Sequence, residues 1–220
     1  MIGTANGLAR RLTLTALLFA TAILGGLTHE SWLPSTENGV EAHQISTPAP
    51  NGVSPWYYSE SWVLTNWYGE NLHCDWASFS AFRCTAAATG THLNQYYALD
   101  FANGCNKRLW PIWNSMRVSR IAKSHPSART NDLIEMKRVI NGVTYRITYM
   151  HLNVIYARVG QIVGTTGNPI GLSGAQGLAT GCHLHMVIHR YNPSNGQWYS
   201  VPPKFCGRTY PHSHVRFRGC

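Results

Sequence analysis

Histidines alternate with apolar residues in the segment HLHMVIH, residues 183–189. At the two-residue period of a strand, the imidazoles lie on one face, together with a valine, and Leu, Met and Ile lie on the other. Residues i and i+2 of a strand project in the same direction about 6.5 Å apart. One member of the His183/His185 pair can therefore ligate a metal while the other faces a reacting water. The alternative is a solvent-facing pair on an amphipathic strand.

Asp100 and His151 could complete such a site. Asp100 lies in the apolar segment ALDF, residues 98–101, where an unpaired carboxylate would be costly, so it requires a cation or several hydrogen-bond donors. A helix cap or a salt bridge is the alternative for this carboxylate. For His151 the alternative is a core histidine whose hydrogen bonds are satisfied.

Short strands and turns must position these residues. The segments 133–140 and 143–151 meet at Asn141-Gly142, which is the strongest two-residue hairpin signal. Alternation along the second segment predicts that His151 ends a strand on the buried side, on the same face as Val143, Tyr145, Ile147 and Tyr149. Between Val159 and Cys182, the density of glycines excludes a helix and indicates short strands and turns.

Composition narrows the fold class. Of the 220 residues, 12% are charged and 44% are hydrophobic, which excludes a disordered charged tail and a coiled coil. The 20 glycines, 11 prolines and 11% aromatic residues favour short strands over long helices. We therefore expect an all-β, single compact domain of antiparallel strands. Its aromatic stretch, residues 56–82, is interpreted as core packing, with a sugar-stacking or cleft wall as the alternative.

The N-terminal residues indicate export. Arg10 and Arg11 precede the sixteen-residue apolar run Leu12–Leu27, which matches a secretory signal and is short for a membrane span. We assign residues 1–27 to a signal peptide or anchor, residues 28–55 to a linker or short pro-segment, and residues 56–220 to the folded domain. The expected location is secreted, extracellular or in the cell envelope.

Six cysteines, none in a Cys-x-x-Cys pair, fit the same compartment. In an exported protein an even number indicates up to three disulfides that staple the domain. Proximity in sequence predicts the pairs Cys74–Cys84 and Cys206–Cys220.

The net charge of +9 indicates an anionic partner such as a cell-wall polymer, nucleic acid or a membrane surface. Charge alone does not choose among them, and a nucleic-acid module has nothing else in its favour.

In their order along the chain, these segments resemble the lysostaphin-type zinc metalloendopeptidases, the LytM-like family of peptidoglycan hydrolases. The resemblance is strongest over Thr148 to His189, where the family shows Tyr-x-His-Leu, a Val-Gly step, Ile-Gly-x-x-Gly and Thr-Gly-x-His-Leu-His. It extends upstream to His92 and the segment ALDFA. The loop 103–115 departs from the family, because it lacks the usual glycine-rich turn and contains Cys105 and two tryptophans.

The resemblance implies a zinc-containing groove, with Zn²⁺ held by His92, Asp100 and His185 and with His151 and His183 acting in catalysis. Many members place the first histidine four residues before the aspartate, but this chain has Tyr96 at that position. The assignment of His92 therefore has a substitute, His73. Two imidazoles and one carboxylate leave an open fourth position on zinc, as in a catalytic site.

The expected function is that of a secreted zinc metalloendopeptidase that hydrolyses peptide bonds of peptidoglycan cross-bridges or stems. The alternative is a catalytically silent LytM-like module that binds the wall or activates another hydrolase. The expected partners are the peptidoglycan peptide and anionic cell-wall polymers, with no nucleic acid, and the protein is expected to be a monomer.

A test of the predicted compartment follows from the N-terminal segment and the cysteines. Exported protein should have lost the signal segment and should carry no free thiols, because an oxidising compartment converts paired cysteines to disulfides. Intact mass measurement with and without alkylation checks both. Six alkylatable cysteines before reduction would show that the protein matures in a reducing compartment.

Overall fold

Antiparallel strands form the whole of the regular structure in a computed structural model, which describes residues 47–68, 95–210 and 214–220. These residues belong to one compact unit. The described ranges contain no helix, and therefore no helical segment long and apolar enough to cross a membrane. The strands are β1 Ser61–Asn66, β2 Leu99–Ala102, β3 Arg108–Leu109, β4 Met116–Ala122, β5 Leu133–Ile140, β6 Val143–Met150, β7 Val154–Ile155, β8 Ile162–Val163, β9 Gly171–Leu172, β10 Leu184–Asn192, β11 Gln197–Val201 and β12 Arg216–Arg218.

The strands form one large and one small sheet. The large sheet has the order β12-β1-β2-β10-β6-β5-β4-β8, and β11 pairs with β10 off this path. The small sheet has the order β3-β9-β7. Every registered strand pair is antiparallel. The predicted all-β, antiparallel fold class is confirmed.

The predicted hairpin is confirmed as β5 and β6, which pair from Ile140↔Val143 to Ile134↔Tyr149. Asn141 and Gly142 have φ values of 50° and 76°, the left-handed conformation that a two-residue hairpin turn of this type requires. The prediction that His151 ends this strand is wrong, whereas its predicted burial is confirmed, since His151 is 8% exposed. Strand β6 ends at Met150, and His151 follows with φ 66°, outside the strand and its alternation.

The hydrophobic core lies on one face of the large sheet. In β10 the alternation was predicted correctly, because Leu184, Met186 and Ile188 are buried in this core. Trp56 and Trp62 stack with ring centroids 5.2 Å apart and are also buried in it. Core packing is therefore the confirmed interpretation for this part of the aromatic stretch, whereas residues 69–82 lie outside the described ranges. Tyr57 and Tyr58 between the two tryptophans are exposed.

Ordered packing begins upstream of Trp56, within the segment assigned to a linker. The backbone N–H of Ala49 donates to Pro202 O at 2.9 Å, and the N–H of Val53 donates to Ile112 O at 2.9 Å. The side chain of Ala49 is buried. The packed region thus extends upstream at least to Ala49.

Two disulfides link the described cysteines. Cys206–Cys220 is confirmed, with Cα atoms 5.7 Å apart. Cys105–Cys182 joins the loop after β2 to the residue before His183. The predicted pair Cys74–Cys84 lies outside the described residues. The Cys105–Cys182 bridge therefore connects the two segments that carry Asp100 and the His-x-His pair.

Removal of the two described disulfides should destabilise the domain unequally. The sequence separations are 77 residues for Cys105–Cys182 and 14 for Cys206–Cys220. Loop-closure entropy assigns about 4.5 kcal/mol to the longer loop and about 3 kcal/mol to the shorter one. Urea unfolding of the two double cysteine-to-serine variants measures the difference. A larger loss for the Cys206/Cys220 variant would show that strain or residual structure, rather than loop length, sets the effect.

Candidate metal and catalytic site

A row of side chains crosses four neighbouring strands on the sheet face opposite the core. Asn66 of β1 is registered with Asp100 of β2, and Asp100 is registered with His185 of β10. His185 is in turn registered with Met150 of β6. Opposed residues of antiparallel strands share a face, with Cβ atoms about 5 Å apart. The strand register itself therefore brings the carboxylate of Asp100 and the imidazole of His185 together.

The carboxylate of Asp100 is only 6% exposed and is held from two sides. Its Oδ2 accepts a hydrogen bond from Asn66 Nδ2 at 2.8 Å. Its Oδ1 lies 2.8 Å from Nδ1 of His185, which is 4% exposed. Asn66 therefore orients the carboxylate so that Oδ1 faces the imidazoles.

His151 reaches this cluster because its backbone leaves the strand geometry. The left-handed φ of 66° turns the side chain away from the core face of Tyr149. Its ring centroid lies 4.7 Å from that of His183 and 5.7 Å from that of His185. Nδ1 of His151 lies 2.7 Å from Gln176 O, and because a carbonyl oxygen only accepts, Nδ1 carries the proton. The lone pair of the neutral ring is therefore on Nε2.

Burial is the main reason why the pKa of His151 falls to about 3. The neighbouring His185 and His183 lower it further, and the Gln176 carbonyl and Asp100 oppose the shift only in part. The folded protein therefore keeps His151 as a neutral imidazole near neutral pH, with a lone pair able to accept a proton.

His183 immediately precedes β10 and is held by the glycine-rich segment. Its N–H donates to Gly174 O at 3.0 Å, and its Nδ1 lies 2.9 Å from Gly181 O. The same reasoning places the proton of the neutral ring on Nδ1 and the lone pair on Nε2. Nε2 lies 3.7 Å from Asp100 Oδ1. A side chain at Gly174 would collide with Asn153, so this approach requires glycine.

Asn66 and Gln176 are site residues that the sequence did not indicate. Asn66 carries no local signal, because its role depends on the pairing of β1 with β2. The side chain of Gln176 accepts a hydrogen bond from Arg129 N at 3.3 Å and donates to Asn153 Oδ1 at 3.3 Å. These bonds restrain the side chain of Gln176, whose backbone carbonyl orients His151. The only signal for Gln176 is its place between two glycines of the segment before His183.

Of the five predicted site residues, the structure brings together Asp100, His151, His183 and His185. His92 and its substitute His73 lie outside the described residues. Within the described ranges no group of three or more His, Cys, Asp or Glu residues is arranged to hold a metal ion. Asp100 and His185 nevertheless supply a buried carboxylate and a buried imidazole side by side, which is the donor chemistry that Zn²⁺ takes in proteins.

Comparisons with known proteins give partial matches. No family model matches the chain. The peptidoglycan DD-endopeptidase ShyA of Vibrio cholerae is 37% identical over 83 residues, which cover 37% of this chain and 18% of that protein. The chain thus matches about a fifth of the length of this curated relative.

Solved structures of the same kind also match. The catalytic domain of lysostaphin from Staphylococcus simulans is 27% identical with a TM-score of 0.38, over 52% of this chain and 82% of that one. A mutant catalytic domain of the prophage-encoded M23 protein EnpA from Enterococcus faecalis is 21% identical with a TM-score of 0.43, over 66% of this chain and 92% of that one.

The sequence match to ShyA agrees with the motifs that run in family order from Thr148 to His189. The structure collects the histidines of these motifs around Asp100 on one sheet face. Over these partial matches the chain is similar to the lysostaphin-type, LytM-like (M23) peptidases.

Proposed function

We propose that this protein is a secreted zinc metalloendopeptidase that hydrolyses peptide bonds of bacterial peptidoglycan cross-bridges or stems. The observation that carries the proposal is the arrangement of the imidazoles around Asp100. His151 and His183 each commit Nδ1 to a backbone carbonyl and keep Nε2 for chemistry, while His185 directs Nδ1 at the carboxylate. A module that only binds cell wall would have no need of these three imidazoles around one carboxylate.

Asp100 and His185 would hold the zinc, with His92 as the third ligand implied by the family resemblance. When bound, Zn²⁺ supplies Lewis-acid chemistry, since it lowers the pKa of a water towards about 7 and polarises the scissile carbonyl. Asn66 contributes by holding Oδ2 of Asp100, which leaves Oδ1 for the ligand role. Such second-layer hydrogen bonds fix the orientation of metal ligands.

His151 and His183 would perform the proton transfers. In the neutral tautomers set by Gln176 O and Gly181 O, each presents an Nε2 lone pair that can take a proton from the attacking water. A ring that has gained this proton can donate it to the leaving amine or hydrogen-bond the oxyanion. The fixed backbone carbonyls mean that neither ring has to change orientation during the reaction.

Three further observations support the proposed peptide substrate and the proposed location. The relative ShyA is a peptidoglycan endopeptidase by name, and the charge of +9 favours association with anionic wall polymers. The described disulfides suit an exported, envelope-acting enzyme.

Digestion of purified peptidoglycan sacculi tests the proposed reaction. The mature protein should carry one zinc per chain, and it should release fragments whose new amino and carboxyl termini mass spectrometry identifies. Excess chelator should abolish the release and added zinc should restore it, because the ligand set is incomplete without the ion. Zinc-loaded protein that binds sacculi and releases no new termini would establish the silent, wall-binding alternative. Release that persists in excess chelator would show that the metal is not catalytic.

Replacement of the two histidines of the His-x-His pair should have different consequences. His185→Ala removes a proposed ligand, so zinc content and activity should both be largely lost. His183→Ala should keep zinc and lower kcat by about 10²- to 10⁴-fold, the usual contribution of a proton-transfer group. Elemental analysis and sacculus digestion measure the two quantities.

A matched control is His214→Asn, at an exposed histidine with φ 64° outside the cluster, because asparagine tolerates this left-handed conformation. The control should keep both zinc and activity. Retention of zinc by both His183→Ala and His185→Ala would contradict the ligand assignment along this strand.

A further inference from the structure

A buried arginine lies on the same sheet face as the imidazoles, towards the other end of β10. Arg146 of β6 is registered with His189, four residues along β10 from His185, which is registered with Met150. Because Tyr145, Ile147 and Tyr149 face the core, alternation places Arg146 and Thr148 on the opposite face with Asp100 and His185. Arg146 is only 7% exposed. A buried guanidinium is costly unless its charge and its donors are satisfied.

The unsatisfied donors of Arg146 lie on one edge of the guanidinium. Among the described residues, Nε and Nη2 are buried and have no hydrogen-bond partner. The N–H bonds of these two nitrogens are parallel, and this edge is one of those with which arginine binds the two oxygens of a carboxylate. On the same face, Oγ1 of the fully buried Thr148 likewise has no partner within the described ranges.

The surroundings of this edge are mainly cationic and aromatic. The face of Trp198 covers the guanidinium, with Cζ of Arg146 4.4 Å from the ring centroid, and Lys137 Nζ lies 5.2 Å from the same ring. Lys137 is registered with Arg146 across β5 and β6. The nearby carboxylate is Glu135, whose Oε1 accepts from Arg120 Nη1 at 3.4 Å.

The charges in this cluster do not balance. Among the described residues, Lys137, Arg146 and Arg120 face one acidic side chain, Glu135, and the imidazole of His189 lies opposite Arg146 in register. Burial lowers the pKa of Arg146, and the charge of Glu135 only partly offsets this. The side chain of Arg120 is 41% exposed, so this member of the cluster contacts solvent. An added anion would satisfy the guanidinium and reduce the excess positive charge.

We propose that Arg146 is a subsite for a carboxylate of the peptide substrate. The subsite lies about 13 Å along β10 from the position of His185, the length of four residues of extended chain. This inference rests on the proposed function only in that it names the peptide substrate as the source of the carboxylate. A planar carboxylate would accept from Nε and Nη2 together, while Lys137 would add charge without fixing orientation.

Titration of the full chain with a small carboxylate tests the subsite without measuring hydrolysis. The probe is N-acetylalanine, and its neutral amide, N-acetylalaninamide, is the matched control. The Nε–H signal of Arg146 in a ¹H–¹⁵N NMR spectrum, assigned by its loss in Arg146→Lys, should shift saturably with the carboxylate. The amide should bind at least tenfold more weakly.

The variants separate recognition by the guanidinium edge from general attraction to positive charge. Arg146→Lys keeps the charge but loses the paired donors, so the affinity for N-acetylalanine, followed on backbone amides, should fall at least tenfold. Arg117→Lys is the matched control, because Arg117 is exposed and registered with Lys137, and its Nη1 donates to Gly160 O. This control should change affinity less than twofold. Glu135→Gln, which removes the competing charge, should tighten binding several-fold.

Several results would overturn the subsite. They are an Nε–H signal that does not move with N-acetylalanine, equal shifts with the amide, and inorganic phosphate binding as tightly as the carboxylate. If Arg146→Lys fails to fold, the backbone amide signals of Arg146 and its neighbours in the wild-type protein, assigned by sequential connectivities, decide the first two outcomes in the same titrations. Sacculus digestion is a separate measurement, so failure of the carboxylate titration leaves the endopeptidase proposal intact. A protein that binds the carboxylate but does not digest sacculi would refute the endopeptidase proposal alone.

Discussion

The carboxylate of Asp100, buried in the middle of a sheet, is the constraint on which the site depends. A buried carboxylate is tolerated only with hydrogen-bond donors or a cation beside it. Here Asn66 and His185 approach it from the two neighbouring strands. A shift of one residue in the pairing would exchange Asp100 with Leu99 or Phe101 and place the charge in the core. The fold that buries Leu99 and Phe101 therefore also selects the register that assembles the site.

The two proposed proton-transfer residues depend on irregular backbone outside this regular frame. His151 takes a left-handed conformation at the end of β6, and His183 is held against Gly174 before β10 begins. Each ring is oriented by a backbone carbonyl, Gln176 O in one case and Gly181 O in the other. Carbonyls in a cross-linked, hydrogen-bonded segment move less than side chains, so both rings are preorganised. The Cys105–Cys182 disulfide adjoins His183 and adds to this restraint.

Sequence patterns predicted those structural features that are determined by residues close together in the chain. Period-two alternation located the apolar face of β10, and Asn141-Gly142 located the hairpin, because both signals lie within a few residues. The period-two rule failed at His151 because it assumes extended backbone throughout, whereas His151 has a left-handed conformation. Asn66 was missed because its contact with Asp100 arises from pairing between segments distant in sequence. The pairing of Cys105 with Cys182 over 77 residues was not predicted for the same reason.

Among the described residues, the site face of the large sheet carries the buried carboxylate of Asp100 near one end of β10 and the buried guanidinium of Arg146 towards the other. The pleat places residues two apart on the same face, so the register that fixes His185 beside Asp100 also fixes the distance to Arg146. An extended peptide that reaches from one position to the other has the same rise per residue as β10. Recognition at Arg146 and chemistry at His151 and His183 would therefore be coupled by the geometry of the sheet, without any moving part. Because the spacing is built into strand pairing, a substrate shifted by one residue would present its carboxylate to the wrong position, and this would favour cleavage at one bond of the peptide over its neighbours.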